Sequence, residues 1–136
     1  MDVAINYLAI LLAAAAIMGV GALWYGPLFG KQWMKLKGYT PETMKNMRMS
    51  ARTSMVFATF ASLVTAFVLA LIISLLEPIG LGGAFMLTLL VWTGFVVTTK
   101  ANEVLFEEGN IKLFFFHIAQ SFVALLIASS ILTLWP

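Results

Sequence analysis

The sequence predicts an all-α polytopic membrane protein: four transmembrane helices, with a short amphipathic cytoplasmic helix between the first and second. Three observations point there. Of 136 residues, 62% are hydrophobic and 10% charged, against about 25% charged in an ordinary soluble domain. A water-soluble fold of this size cannot hide so much apolar surface, because small domains bury only part of theirs. Apolar runs recur at about the 20 residues a helix needs to cross a bilayer core. Trp24, Trp33 and Trp135 stand at the ends of such runs, where indole rings act as interfacial anchors.

Span one covers about 3–25. Asp2 is its only early charge, so it lacks the positive n-region of a cleaved signal peptide and reads as a retained span. Asn6 is its one strongly polar interior residue. Ala13 to Ala16, Gly19, Gly21 and Ala22 are small, and in lipid small residues mark helix–helix contact. Gly26-Pro27 then ends the helix, since proline disfavours the α conformation just before it.

The connection 29–53 carries Lys31, Lys35, Lys37, Lys45, Arg48 and Arg52 against Glu42 alone. Thr40-Pro41-Glu42 is a helix start, with an N-cap threonine, proline in the first turn and an early glutamate. Met44, Met47 and Ala51 follow at helical spacing, which predicts an amphipathic helix on the membrane surface. It serves as a sensor of anionic lipid or, more plainly, as an interfacial linker.

Span two covers about 54–76. Ser54, Ala58, Ser62, Ala66, Ala70 and Ser74 recur every fourth residue, a helix-packing ladder that lets a neighbour approach closely. Glu77-Pro78 closes it. Span three covers about 81–99, with a polar extension that can run to 108 before Gly109-Asn110, read as a C-cap signal. Trp92 falls too deep for a headgroup anchor and is expected between helices. Span four covers about 111–135, with His117, Gln120, Ser121 and Ala124 on one stripe.

All eight Lys and Arg fall in the first connection or flank the third. The positive-inside rule then places 29–53 in the cytoplasm and both termini outside. Antiparallel spans three and four, with the end of span one, bring Tyr25, Thr98, Thr99, Asn102, Glu103, His117, Gln120 and Ser121 to similar depth. Ionisable groups within a membrane are costly, which makes such a cluster a binding candidate. His117 with Glu103 suits a proton-coupled or cation site. The plainer reading is interhelical hydrogen bonding that holds the bundle together.

Several chemistries are disfavoured. The net charge of +2 is too small to suggest nucleic acid, and no cysteine is present. One histidine makes no credible metal site, since zinc typically takes three or four ligands. No phosphate loop or nucleophile motif stands out, so no catalytic residue, cofactor or metal is expected, and the protein is not expected to be an enzyme.

The string Trp24-Tyr25-Gly-Pro27-Leu-Phe29-Gly30-Lys31-x-Trp33 is specific. So is Trp92-Thr-Gly94-Phe95-x-x-Thr98-Thr99, followed by Asn102, Phe106 and Lys112-Leu113-Phe114. With Asn6, these resemble a family of small four-helix bacterial membrane proteins, domain of unknown function 1761, over essentially the whole chain. The resemblance implies a bacterial inner (cytoplasmic) membrane protein and supplies no activity. One departure is His117, where the family pattern leads us to expect asparagine.

Three functions compete. The first is transport, permeation or small-molecule and ion binding at the cytoplasm-facing cluster, in a homo-oligomer, because four helices enclose little space. The second is a structural or accessory subunit, acting through helix contacts with an unidentified membrane partner. The third and weakest is an enzyme acting on a lipid or quinone. The bilayer itself is the one partner common to all.

Overall fold

Asn6 opens the first helix. In the computed structural model, which describes residues 5–38, 40, 42, 51–106 and 109–136, α1 (Tyr7–Leu23) starts just after it. The Asn6 side-chain oxygen accepts the Ala9 N–H at 3.1 Å, satisfying one of the donors a helix start leaves free. Asn6 is therefore a cap rather than an interior polar residue. Its amide nitrogen donates to the Trp135 and Pro136 carbonyls at 3.5 and 3.3 Å. The start of span one is thus tied to the end of span four.

Four helices are long and apolar enough to cross a membrane: Tyr7–Leu28, Arg52–Leu76, Gly80–Phe106 and Ile111–Leu134. No strand occurs among the described residues. The four-span, all-α class expected from composition is the one observed. The surface helix expected after Thr40-Pro41-Glu42 falls largely on residues 43–50, which lie outside the described residues. The described part of that connection holds a different helix, α2 (Gly30–Lys37). Lys31, Gln32, Lys35 and Lys37 of α2 are exposed, and Trp33, Met34 and Leu36 are half-buried.

Between α1 and α2 the chain makes a wide, π-type turn over Trp24–Leu28. Pro27 has no N–H to give, so the regular ladder fails there. The Phe29 N–H reaches back five residues to the Trp24 carbonyl at 3.1 Å. Gly26 takes φ −114°, ψ −113°, which is not helical. Gly30 is held to its type by a close approach: a Cβ there would lie 2.8 Å from the Tyr25 carbonyl oxygen. Gly38, at φ +73°, closes α2 in the left-handed conformation.

Helix α3 (Ala51–Leu76) forms span two. Span three consists of α4 (Gly80–Val91), a second wide turn at Trp92–Val97, and α5 (Thr98–Phe106). Helix α6 (Ile111–Leu134) forms span four. The Asn110 side chain accepts the Lys112 N–H at 2.9 Å. Asn110 therefore starts span four, where the sequence reading took it as the end of span three.

Span four is central. It packs along spans one and three and, over a shorter stretch, span two; span two leans chiefly on span one. Spans two and three are consecutive yet share no extended contact among the described residues. The contacts are made by small side chains. Ala9, Ala13, Ala66 and Ala128 are fully buried, with Ile10, Leu69, Leu87 and Leu132 around them. Of the span-two ladder, Ser62 and Ala66 are buried, Ala70 and Ser74 half-buried, and Ser54 and Ala58 exposed. Large side chains such as Phe57, Phe60, Leu81 and Phe95 point outward, as a lipid-facing surface requires.

Gly30→Ala is expected to cost about 1–3 kcal/mol, because a backbone carbonyl must shift to admit the methyl group. Gly94→Ala, where a Cβ meets nothing within 4 Å, is expected to be neutral. Equilibrium unfolding in neutral detergent compares the two, and equal stability would count against the turn geometry.

Candidate functional site

The wide turn after α1 carries Tyr25 toward span four. Its hydroxyl shares a hydrogen bond with His117 Nδ1 at 2.5 Å. With the proton of a neutral imidazole on Nε2, the hydroxyl donates and Nδ1 accepts. The Tyr25 ring lies 5.3 Å from Trp33, 5.6 Å from Phe116 and 5.6 Å from the imidazole. Trp24 joins the same group, 4.7 Å from Phe29 and 5.9 Å from Phe116. Tilted and edge-on rings at these distances attract one another beyond their simple burial.

Span three is fixed at the same level. The Trp92 indole N–H donates to the Ile118 carbonyl at 2.8 Å, and its ring stands 5.0 Å from Phe122. Residues 117 and 118 of span four thus receive Tyr25 from span one and Trp92 from span three. The second wide turn begins at Trp92. Such turns are frequent at functional positions.

Beside this junction a cavity of about 490 Å³ opens between spans one and two. Met18, Gly21, Ala22 and Tyr25 line it from span one, Met55, Ala58 and Ser62 from span two, and Gln120 from span four. The space exists because the facing residues are small: Gly21 and Ala22 on one side, Ala58 and Ala61 on the other. The Ser62 hydroxyl is already committed to the Ala58 carbonyl at 2.9 Å. The Gln120 amide faces Gly21, where an added Cβ would sit 3.8 Å from Nε2. Tyr25 and Gln120 are polar groups on an otherwise mainly apolar wall, with His117 behind Tyr25.

The remaining sequence candidates lie elsewhere. The Thr98 and Thr99 hydroxyls return to the Gly94 and Phe95 carbonyls, each at 2.7 Å, on an exposed face. Asn102 is exposed. Glu103 pairs with Lys100 at 3.5 Å along its own helix. His117 takes Tyr25 as partner and Glu103 takes Lys100, so the His117–Glu103 pairing weighed from sequence is not a direct contact here. Ser121 is half-buried one residue beyond Gln120. Among the described residues no group of three or more His, Asp or Glu gathers to hold a metal. Sequence reasoning missed Phe116 as a ring partner. Phe114-Phe115-Phe116 is uniformly aromatic, so no periodicity marks which ring turns inward.

Residues 8–133 match the model of the family described as Protein of unknown function (DUF1761). The chain belongs to that family. No curated protein and no solved structure matches it. The DUF1761 match runs from the first turn of α1 to the last turn of α6, so it takes in both wide turns and the Tyr25–His117 junction.

Tyr25→Phe removes the hydrogen bond and keeps the ring, with an expected loss of about 0.5–1.5 kcal/mol. Tyr25→Ala removes the ring contacts too and is expected to lose clearly more. Unfolding in mixed micelles reads the difference; if both substitutions cost the same, the ring cluster contributes nothing.

Proposed function

We propose that this DUF1761 protein is a non-enzymatic protein of the bacterial inner membrane. It binds a small amphipathic molecule in the cleft between spans one and two and takes part in its transport or permeation. The observation that carries the proposal is the cavity of about 490 Å³ with Tyr25 and Gln120 on its wall. An apolar cavity with a few convergent polar groups is the usual form of a small-molecule site. The apolar wall suits a hydrocarbon body, and the phenol and carboxamide suit a hydrogen-bonding head. Anchoring by His117 keeps the Tyr25 hydroxyl in place before a ligand arrives, which lowers the ordering cost of binding.

The cleft lies at the end of the bundle that carries Lys31, Lys35, Arg52, Lys100 and Lys112. The positive-inside rule supports a cytoplasmic position for that end and an outward position for both termini. A homo-oligomer belongs to the same proposal. Ser54, outside the cleft, is a small side chain that this chain leaves uncovered, the kind of residue a second copy packs against.

A long-chain alcohol carrying a mid-chain diazirine, photolysed in proteoliposomes, tests the binding step. Adducts are expected on Met18 and Met55 and are expected to vanish in Gly21→Leu, which fills the cleft. Labelling spread evenly over the outward residues Phe57, Phe60 and Leu81 would remove the site. For transport, the protein is expected to speed exchange of the same alcohol between leaflets, with Gly21→Leu returning the rate to that of protein-free vesicles. No acceleration would end that half of the proposal.

A further inference from the structure

We propose that a second cavity, at the opposite end of the bundle, binds a small organic cation. It has a volume of about 310 Å³ and lies between the ends of spans two and four. The proposal is independent of the cytoplasm-facing cleft and shares no lining residue with it.

Glu77 is the charged residue among the described ones that line this cavity. It is the one non-glycine residue with positive φ, at +49°, among the described residues. A left-handed backbone falls to glycine or asparagine by default, and a longer side chain there is strained. Glu77 is held by its N–H to the Ile73 carbonyl at 2.9 Å and by Pro78 directly after it. A strained, charged position that lines a cavity is a pointer to function.

Spans two and four end here, with about half a negative charge at each helix C-terminus. Spans one and three begin here, with about half a positive charge each, so the helix dipoles largely offset and the charge beside the cavity is that of Glu77. The start of span one borders the cavity through Asn6. There the Ala9 N–H is already taken by the Asn6 oxygen, and the Asn6 amide occupies the Trp135 and Pro136 carbonyls. Among the described residues no Lys, Arg or His lines the cavity.

The cation is organic rather than a metal ion. Ala70, Ile73 and Leu132 form an apolar floor, and one carboxylate falls well short of the six to eight oxygens calcium takes. Trp135 also lines the cavity, and indole is the best of the aromatic faces for an ammonium group. A carboxylate, an indole and an aliphatic floor together fit a substituted ammonium head with a hydrocarbon group.

Equilibrium dialysis of labelled benzyltrimethylammonium against the whole protein in neutral detergent tests this. Saturable binding to one site per chain is expected, at least tenfold weaker in Glu77→Gln and several-fold weaker in Trp135→Leu. Glu77→Asp, which keeps the charge, is expected to restore most of the affinity and controls for folding. Gln120→Leu, in the other cleft, is expected to leave it unchanged. Neopentylbenzene, the neutral isostere, is expected not to compete. Absent or non-saturable binding, unchanged affinity in Glu77→Gln, or displacement by the neutral isostere would overturn the proposal.

Discussion

Close approach of helix backbones is the constraint on which this bundle rests. In lipid, an apolar side chain gains nothing by leaving one hydrocarbon surface for another, so helices associate through tight packing and a few hydrogen bonds. The buried positions answer that requirement. Ala9, Ala13, Ala66, Ala84 and Ala128 are fully covered, as are Thr88 and Ser129, while the phenylalanines of spans two and three face outward. Alanines sit at the seams beside a few large aliphatic residues such as Ile10, Leu69 and Leu132, while many of the bulkiest side chains lie on the surface. The Thr88 hydroxyl returns to the Ala84 carbonyl at 2.8 Å within its own helix, so it is buried as a satisfied group.

The same packing explains where space remains. Spans one and two stay close around Ala13 and Ala66 and part toward Tyr25 and Met55, where small residues face each other without touching. Span four closes the back of that gap with Gln120. The two wide turns matter because each aims a large ring at one level of span four. The first presents Tyr25 to His117, and the second begins at Trp92, which reaches the Ile118 carbonyl. A regular helix past Pro27 would leave an unmatched carbonyl. Tyr25 and Trp92 together join three spans at one height.

The fold class was legible because hydropathy runs and span length are properties of contiguous sequence. Ser62 and Ala66 likewise belong to a ladder that spacing alone reveals. Neighbour order was not legible: nothing in Glu77-Pro78 indicates that span three leaves span two and packs on span four. Polar residues near one depth were grouped as a cluster, which brought in Thr98 and Thr99. Their hydroxyls bond back to their own helix, an option open to any threonine and invisible to depth counting. Asn6, expected as an interior polar group, and Asn110, expected at a helix C-cap, are both N-caps: asparagine suits all three places, and only the neighbouring N–H decides which. Tyr25 and His117 were placed in one cluster from sequence, yet their mutual bond depends on how spans one and four pack, which the sequence does not specify.

The clasp made by Asn6 has a consequence for assembly. Its two acceptor carbonyls belong to Trp135 and Pro136, which leave the ribosome some 129 residues after it. The first helix to enter the bilayer therefore waits for the last before its capping residue is fully engaged. Until then the cavity that Asn6 and Trp135 both border lacks its span-four side. Synthesis order thus makes this cavity one of the last features of the molecule to take shape.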